Sequence, residues 1–131
     1  MAKQSDQKLA PETVHEFVRL MGQVMAFYEE ISVLSKKSPD GAMNKFKLKF
    51  INAVLTKATA LLGDKYRPFA EFEMFSEDEM PTTSDVGVML SQYLNSMGQF
   101  KKSHTYYDSM DHEHLWRTTS SNAMRVDHEE L

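Results

Sequence analysis

The stretch from residue 11 to residue 36, PETVHEFVRLMGQVMAFYEEISVLSK, decides the fold because it carries a long helical pattern. Pro11 followed by Glu12 is a typical helix start, since proline needs no amide partner in the first turn and an acid suits the positive end of a helix. Apolar side chains then recur at spacings of three and four residues, at Val14, Phe17, Met21, Val24, Tyr28 and Ile31. The pattern predicts a long amphipathic first helix.

The apolar face of this first helix is broad. Leu20, Phe27 and Leu34 add a second line of apolar side chains at intervals of seven residues. A single neighbouring helix needs only a narrow seam, so the breadth indicates two neighbours, either within a bundle or across a subunit interface. The side chains predicted to form a protein interface are Phe17, Leu20, Met21, Phe27 and Leu34.

Two more helices are predicted further along the chain. Helix 2 spans about residues 42–62 and ends at Gly63, a typical position for glycine after a helix. Helix 3 begins after Pro81, where Thr82 and Asp85 have the spacing of an acidic capping box. Lys47 falls within the apolar stripe of helix 2, and we expect its amine to reach water past the end of the bundle. The predicted core stripe of helix 2 is Met43, Phe46, Phe50, Ile51, Val54, Ala58 and Leu61.

The segment between helices 2 and 3 carries an aromatic residue at every third position from Phe69 to Phe75, preceded by Tyr66. This spacing predicts a strap that covers the hydrophobic ends of helices 1 and 2, because folded monomers seldom leave so much aromatic area in water. An exposed aromatic docking site is the alternative interpretation.

The predicted fold is therefore all-α, a small bundle of three main helices with an aromatic strap between helices 2 and 3 and a C-terminal appendage. The chain of 131 residues is long enough for one hydrophobic core. We expect a flexible N-terminus at residues 1–10, a helical domain at 11–117 and a mobile C-terminal tail at 118–131. Within the domain, residues 103–117 are interpreted as an extension of helix 3 or a short fourth element.

Charge is segregated along the chain. Residues 36–67 carry eight Lys/Arg and two Asp/Glu, residues 69–85 carry six Asp/Glu and no base, and the net charge is −4. The basic block predicts a surface for an acidic partner or for nucleic-acid phosphates. Its members are almost all lysine, which favours contacts to a phosphate backbone over base reading. The candidate binding residues are Lys36, Lys37, Lys45, Lys49, Lys57, Lys65 and Arg67.

Catalytic and metal signatures are weak. The chain has no cysteine, and His112 and His114 have a spacing that shares a face only in an extended chain. Glu29 and Glu30 could combine with acids 77–79 in a helical metal-dependent hydrolase, but they are neighbours rather than one helical turn apart. The sequence therefore favours a non-enzyme and predicts no catalytic residue, no metal ligand and no cofactor.

These observations rank three functions. The first is a non-catalytic protein-interaction or assembly subunit, either self-associating or part of a larger complex. The second is a nonspecific nucleic-acid-binding accessory protein that uses the basic helix region 36–67, and the third is the helical metal-dependent hydrolase. No signal peptide or membrane-spanning run is recognised, so we expect a cytoplasmic protein without membrane contact.

Overall fold

A computed structural model describes residues 8–126. The main elements are three helices, α1 (Pro11–Lys37), α2 (Lys45–Tyr66) and α3 (Thr83–Ser103), followed by two strands, β1 (Thr105–Asp108) and β2 (Glu113–Trp116). Helix α1 packs against both α2 and α3, so the prediction of two neighbours is confirmed. No helix in the described range combines the length and the apolar character needed to cross a membrane.

The all-α prediction is wrong at the C-terminal side of the domain. Strands β1 and β2 pair as an antiparallel hairpin, with Thr105 opposite Trp116 and Asp108 opposite Glu113. Helix α3 ends just before the buried His104. The Nδ1 atom of the His104 ring hydrogen-bonds the Phe100 carbonyl at 2.7 Å, and the helix does not continue. The Thr- and Tyr-rich segment that follows suits a strand better than a helix. Residues 103–117 are thus not an extension of α3, and the short fourth element is a hairpin.

Both flanks of the predicted helical domain contact the hairpin region. Leu9 donates its amide to the Arg117 carbonyl and accepts from the Thr119 amide, at 2.9 Å in each case. On the C-terminal side, Met124 and Val126 pack against the core. Residues 1–7 and 127–131, the outer parts of the predicted flexible N-terminus and mobile tail, lie outside the described residues. The domain division at residues 10 and 117 stays a prediction, while the hydrogen bonds extend across both boundaries.

The helix boundaries follow local signals in the sequence. The predicted capping box is present, because Thr82 N donates to Asp85 Oδ2 and Asp85 N donates to Thr82 Oγ1, both at 3.0 Å. Helix α2 begins at an Asn44 cap and continues past its predicted end to Tyr66, with a kink at Gly63. Gly63 has φ 71° and ψ −179°, a conformation that is essentially restricted to glycine.

The buried face of α2 is rotated relative to the predicted stripe. Phe46 and Phe50, predicted to be core residues, are 70% and 46% exposed. One reason is Tyr93 of α3, whose buried hydroxyl needs a partner and finds it in the Thr59 hydroxyl. Burial also raises the pKa of Tyr93, which keeps this hydroxyl in its neutral, hydrogen-bonding form. The residues of α2 that are buried are Leu48, Ile51, Val54, Leu55, Ala58, Thr59 and Leu62.

The strap, residues 68–80, lies against α2 and α3 rather than across the ends of helices 1 and 2. Asn52 of α2 holds its backbone with two hydrogen bonds, donating to the Phe75 carbonyl at 2.9 Å and accepting from the Phe75 amide at 2.8 Å. Phe72 and Phe75 are half-buried, and Phe72 meets the Tyr93 ring edge-on at 6.1 Å. The strap therefore covers the core with these two rings, while Phe69 is exposed.

The Asn52 amide gives a direct test of how the strap is held. We expect Asn52→Ala to lower the free energy of unfolding by about 1–3 kcal/mol, because it leaves the Phe75 amide and carbonyl without protein partners in a half-buried place. Urea denaturation measures the loss, and faster hydrogen exchange at the Phe75 amide locates it. Asn95→Ala on the exposed side of α3 is the matched control, and equal effects of the two changes would contradict this role.

Candidate interaction surface on helix α2

The outer side of α2 is a continuous cationic and aromatic surface, called the α2 face below. All of its side chains are exposed, and they lie on the side of α2 opposite its buried row. The only acid in α2 is Asp64, beyond the kink, so no carboxylate of α2 itself offsets the positive charge of the face. The α2 face consists of Lys45, Phe46, Lys49, Phe50, Ala53, Thr56, Lys57 and Ala60.

Phe46 and Phe50 form the apolar centre of this surface. They lie one helical turn apart, and their rings meet edge to face with centroids 5.0 Å apart and an interplanar angle of 71°. Beside them, Phe27 and Gln23 of α1 complete a groove of about 430 Å³ between α1 and α2. The pair is thus ordered by its own ring contact and borders a concavity, which is suitable geometry for receiving an apolar side chain.

Three lysines share the α2 face with the aromatic pair. The Lys49 amine lies 5.9 Å from the centre of the Phe50 ring, and Lys57 lines the groove. Among residues 8–126 no salt bridge to Lys45, Lys49 or Lys57 is formed. Lys57 also borders a groove that Glu12 and Glu16 of α1 line, so Lys45 and Lys49 are the cations of the α2 face without a nearby described carboxylate in a shared groove.

Lys47 differs from these three lysines. Its amine forms a salt bridge with Glu30 of α1 at the protein surface. The expectation that Lys47 reaches the surface from the apolar side of α2 agrees with this position, but its charge is matched within the chain.

The seven predicted basic residues do not form one site. Lys36 and Lys37 are exposed at the end of α1, and the Lys65 amine lies 5.4 Å from the centre of the Tyr66 ring. Arg67 has a structural position, because its side chain is only 15% exposed and donates to the Phe72 carbonyl at 2.8 Å. Arg67 therefore holds the strap and is not placed to contact a phosphate.

The predicted interface residues of α1 are also divided. Phe17 and Leu20 are fully buried in the core of this chain, so a partner cannot reach them in this fold. Met21, Phe27 and Leu34 are half-buried. Of these, Phe27 lines the groove beside the α2 face, so Phe27 is part of the candidate interaction surface.

The sequence pattern does not show that Phe46 and Phe50 belong to this surface, because it places both in the predicted core stripe. A signal was nevertheless present. Helix α2 has more large apolar side chains than one buried stripe can hold, since the Leu48, Leu55 and Leu62 line excludes the Phe46 and Phe50 line by its helical angle. An excess of this kind indicates a second apolar surface.

Within residues 8–126, the polar clusters outside α2 form no recognisable catalytic arrangement. In the described range no three His, Asp or Glu side chains come close enough to hold a metal ion. Tyr107 packs edge-on against the His114 ring at 5.1 Å and hydrogen-bonds His112 Nδ1 at 3.1 Å, which places both imidazoles on the hairpin surface. A polar depression of about 340 Å³ beside the hairpin is lined by no described carboxylate or imidazole. Nothing in these residues favours the hydrolase interpretation.

Comparison with known proteins adds no relative. Neither the family models, nor the curated proteins, nor the solved structures contain a match to this chain. The α2 face is therefore the feature of this chain that indicates a function.

Proposed function

We propose that the protein is a non-catalytic interaction subunit that binds a protein partner through the α2 face, in a homo-oligomer or a larger complex in the cytoplasm. The observation that carries the proposal is the exposed Phe46–Phe50 pair. Each exposed phenylalanine leaves apolar area in contact with water. Burying this area would stabilise a complex by about 25 cal/mol per Å². A partner that covers the pair recovers this free energy.

The arrangement around the pair supports a protein partner. Productive protein interfaces have a few aromatic anchors at their centre and a polar or charged rim that excludes water. The α2 face offers aromatic anchors of this kind in Phe46 and Phe50, and Lys45, Lys49 and Lys57 are exposed on the same face. The rim lysines would set the charge preference and the rate of association, and the rings would supply most of the affinity.

Site-specific photo-crosslinking tests the proposal. A benzophenone amino acid at position 46, introduced in cells that naturally contain the protein, should form a covalent adduct with one defined protein. The matched control carries the same group at the exposed Val88 of α3, away from the α2 face, and should give no adduct of comparable yield. A discrete adduct only at position 46 supports the proposal, whether the captured protein is a second copy or another chain.

The proposal fails if position 46 crosslinks no better than position 88. It also fails if Phe46→Ser together with Phe50→Ser leaves every association of the protein unchanged. Both side chains are exposed, so circular dichroism should show that this double variant folds normally.

Nucleic-acid binding is the second candidate function. It is favoured by the alternation of exposed rings with lysines on one helix, since single strands are bound by stacking on aromatic side chains and by backbone contacts to cations. In this case a labelled single-stranded oligonucleotide would bind with little sequence preference. Its affinity would fall steeply with salt as counterions are released. Crosslinking of position 46 to nucleic acid instead of protein would select this function.

A further inference from the structure

We infer that the α2 face is covered by the acidic strap of a second copy of this chain, in a closed homodimer that contains the contact twice. The inference rests on the proposed function and specifies its partner. It commits to residues 68–80 of the second copy as the occupant.

Charge complementarity is the first support. The strap exposes five carboxylates and contains no base, whereas the α2 face exposes three lysines that form no described salt bridge and carries no acid of its own. Within the described chain these carboxylates form no salt bridge with the lysines of the α2 face. Opposite charges on two surfaces of one protein favour its self-association when the surfaces can meet. The strap carboxylates are Glu71, Glu73, Glu77, Asp78 and Glu79.

The apolar side chains of the two surfaces also match. Besides its acids, the strap exposes Phe69, Met74 and Met80. Methionine adapts its shape to aromatic surfaces and makes favourable sulfur–ring contacts. These side chains can cover the Phe46–Phe50 pair of the other copy, so the contact combines an apolar centre with a charged rim on both sides.

The order of the strap lowers the free-energy cost of binding. Asn52 and Arg67 fix the strap backbone at Phe72 and Phe75 before any partner arrives. A segment that is already ordered loses less conformational entropy on association than a free loop does. Phe72 and Phe75 of the strap stay packed against the core, and the strap carboxylates remain available to a partner.

The position of the strap on the fold predicts a closed dimer. Asn52 belongs to α2 and lies one helical turn from Lys49 and Thr56, so its bonds to Phe75 place the strap along that edge of the α2 face. A twofold axis beside this edge would bring each strap to the α2 face of the other copy. Both contacts are then equivalent and the assembly closes at two copies, whereas surfaces on opposite sides would give open chains.

Charge reversal tests the inference in four samples measured by sedimentation velocity. The α2 variant carries Lys45→Glu, Lys49→Glu and Lys57→Glu, and the strap variant carries Glu77→Lys, Asp78→Lys and Glu79→Lys. The wild type should be a dimer at about 100 μM, in the range of moderate affinities. Each variant alone should dissociate at least about tenfold more readily, because both contacts of its homodimer become repulsive. An equimolar mixture of the two variants should form a heterodimer, in which both contacts are attractive again.

A control with the same change in charge separates specific contact from net charge. Lys36→Glu, Lys37→Glu and Lys65→Glu reverse three exposed lysines outside the α2 face and should leave the dimer unchanged. Circular dichroism verifies the fold of every variant. For a variant that fails to fold, the wild-type sequence with benzophenone at position 46 replaces it, and the adduct should map to residues 68–80 of the second copy.

The inference is overturned if the wild type is monomeric at about 100 μM, well above ordinary dissociation constants, if the control weakens the dimer as much as the α2 variant does, or if the mixed variants remain apart. If position 46 still crosslinks a different protein, these results contradict the homodimer but not the proposed function. If position 46 crosslinks no protein, both the homodimer and the proposed function are wrong.

Discussion

Phe17→Ala is expected to lower the free energy of unfolding by about 3–5 kcal/mol, the usual range for deleting a buried aromatic ring. Phe17 is 0% exposed. Its ring stacks on Phe100 of α3 at 5.2 Å and meets Trp116 of β2 edge-on at 5.4 Å. One side chain of α1 therefore joins the helices to the hairpin, and its loss leaves a cavity where three elements meet.

Urea denaturation followed by tryptophan fluorescence measures this effect, since Trp116 is the only tryptophan and touches the altered ring. The midpoint should fall while the slope stays the same, as for a pure loss of stability. Met25→Ala on the exposed side of α1 should change the midpoint little. If the two variants lose similar stability, the packing around Phe17 is not what holds the hairpin to the helices.

Removal of all residues after Trp116 is expected to destabilise the protein by about 2–4 kcal/mol, from the usual net value of the backbone hydrogen bonds lost. Arg117 donates to the His104 carbonyl at 2.8 Å, and Trp116 and Val126 donate to the Met124 and His114 carbonyls at 2.9 and 3.0 Å. The truncation also removes both backbone partners of Leu9. The sequence predicts a mobile tail at residues 118–131, whereas these contacts hold its described part, up to residue 126, against the rest of the domain.

Thermal unfolding followed by circular dichroism tests the truncation. A loss of this size should lower Tm by on the order of 10 °C in a domain of this length. A chain ending at residue 126 keeps every one of these hydrogen bonds and serves as the reference. An unchanged Tm in the shorter chain would show that residues 117–126 add nothing to stability despite their contacts.

Features governed by local sequence were predictable. Pro11 begins α1, and Thr82 and Asp85 cap α3, because these signals depend on residues within one turn. The breadth of the α1 face correctly predicted two neighbouring helices. The position of Phe17 and Leu20 inside the core rather than on an interface was not predictable, because both locations require the same apolar stripe.

The hairpin could not be predicted from its own sequence. Neither strand alternates buried and exposed residues, since Tyr106 and Tyr107 are both exposed while Leu115 and Trp116 are both buried. The connecting turn contains His112 at φ 56°, in place of the Asn-Gly or Asp-Gly pair that marks tight hairpins. Trp116 of β2 instead packs on Phe17 of α1, a tertiary contact that the local sequence does not show.

Predicting the α2 face requires a choice between two apolar stripes on different sides of this helix. The sequence does not show that Tyr93 will require a hydroxyl partner at Thr59, and this contact helps to orient α2 in the core. The stripe through Phe46 and Phe50 was therefore assigned to the interior, although its lysine neighbours fit a surface better. Side-chain hydrogen bonds between distant elements are not encoded in the spacing of one helix.

The backbone bridge between Leu9 and Thr118 has a consequence for the order of folding. It joins segments from opposite ends of the described chain, so the whole bundle forms the loop that the bridge closes. Contacts of such large sequence separation form slowly, because the chain entropy must be lost before they contribute. We therefore expect α1 and α3 to dock first and the Leu9–Thr118 bridge to form last. In pulse-labelling hydrogen exchange, the amides of Leu9 and Thr119 should gain protection after those of the helices.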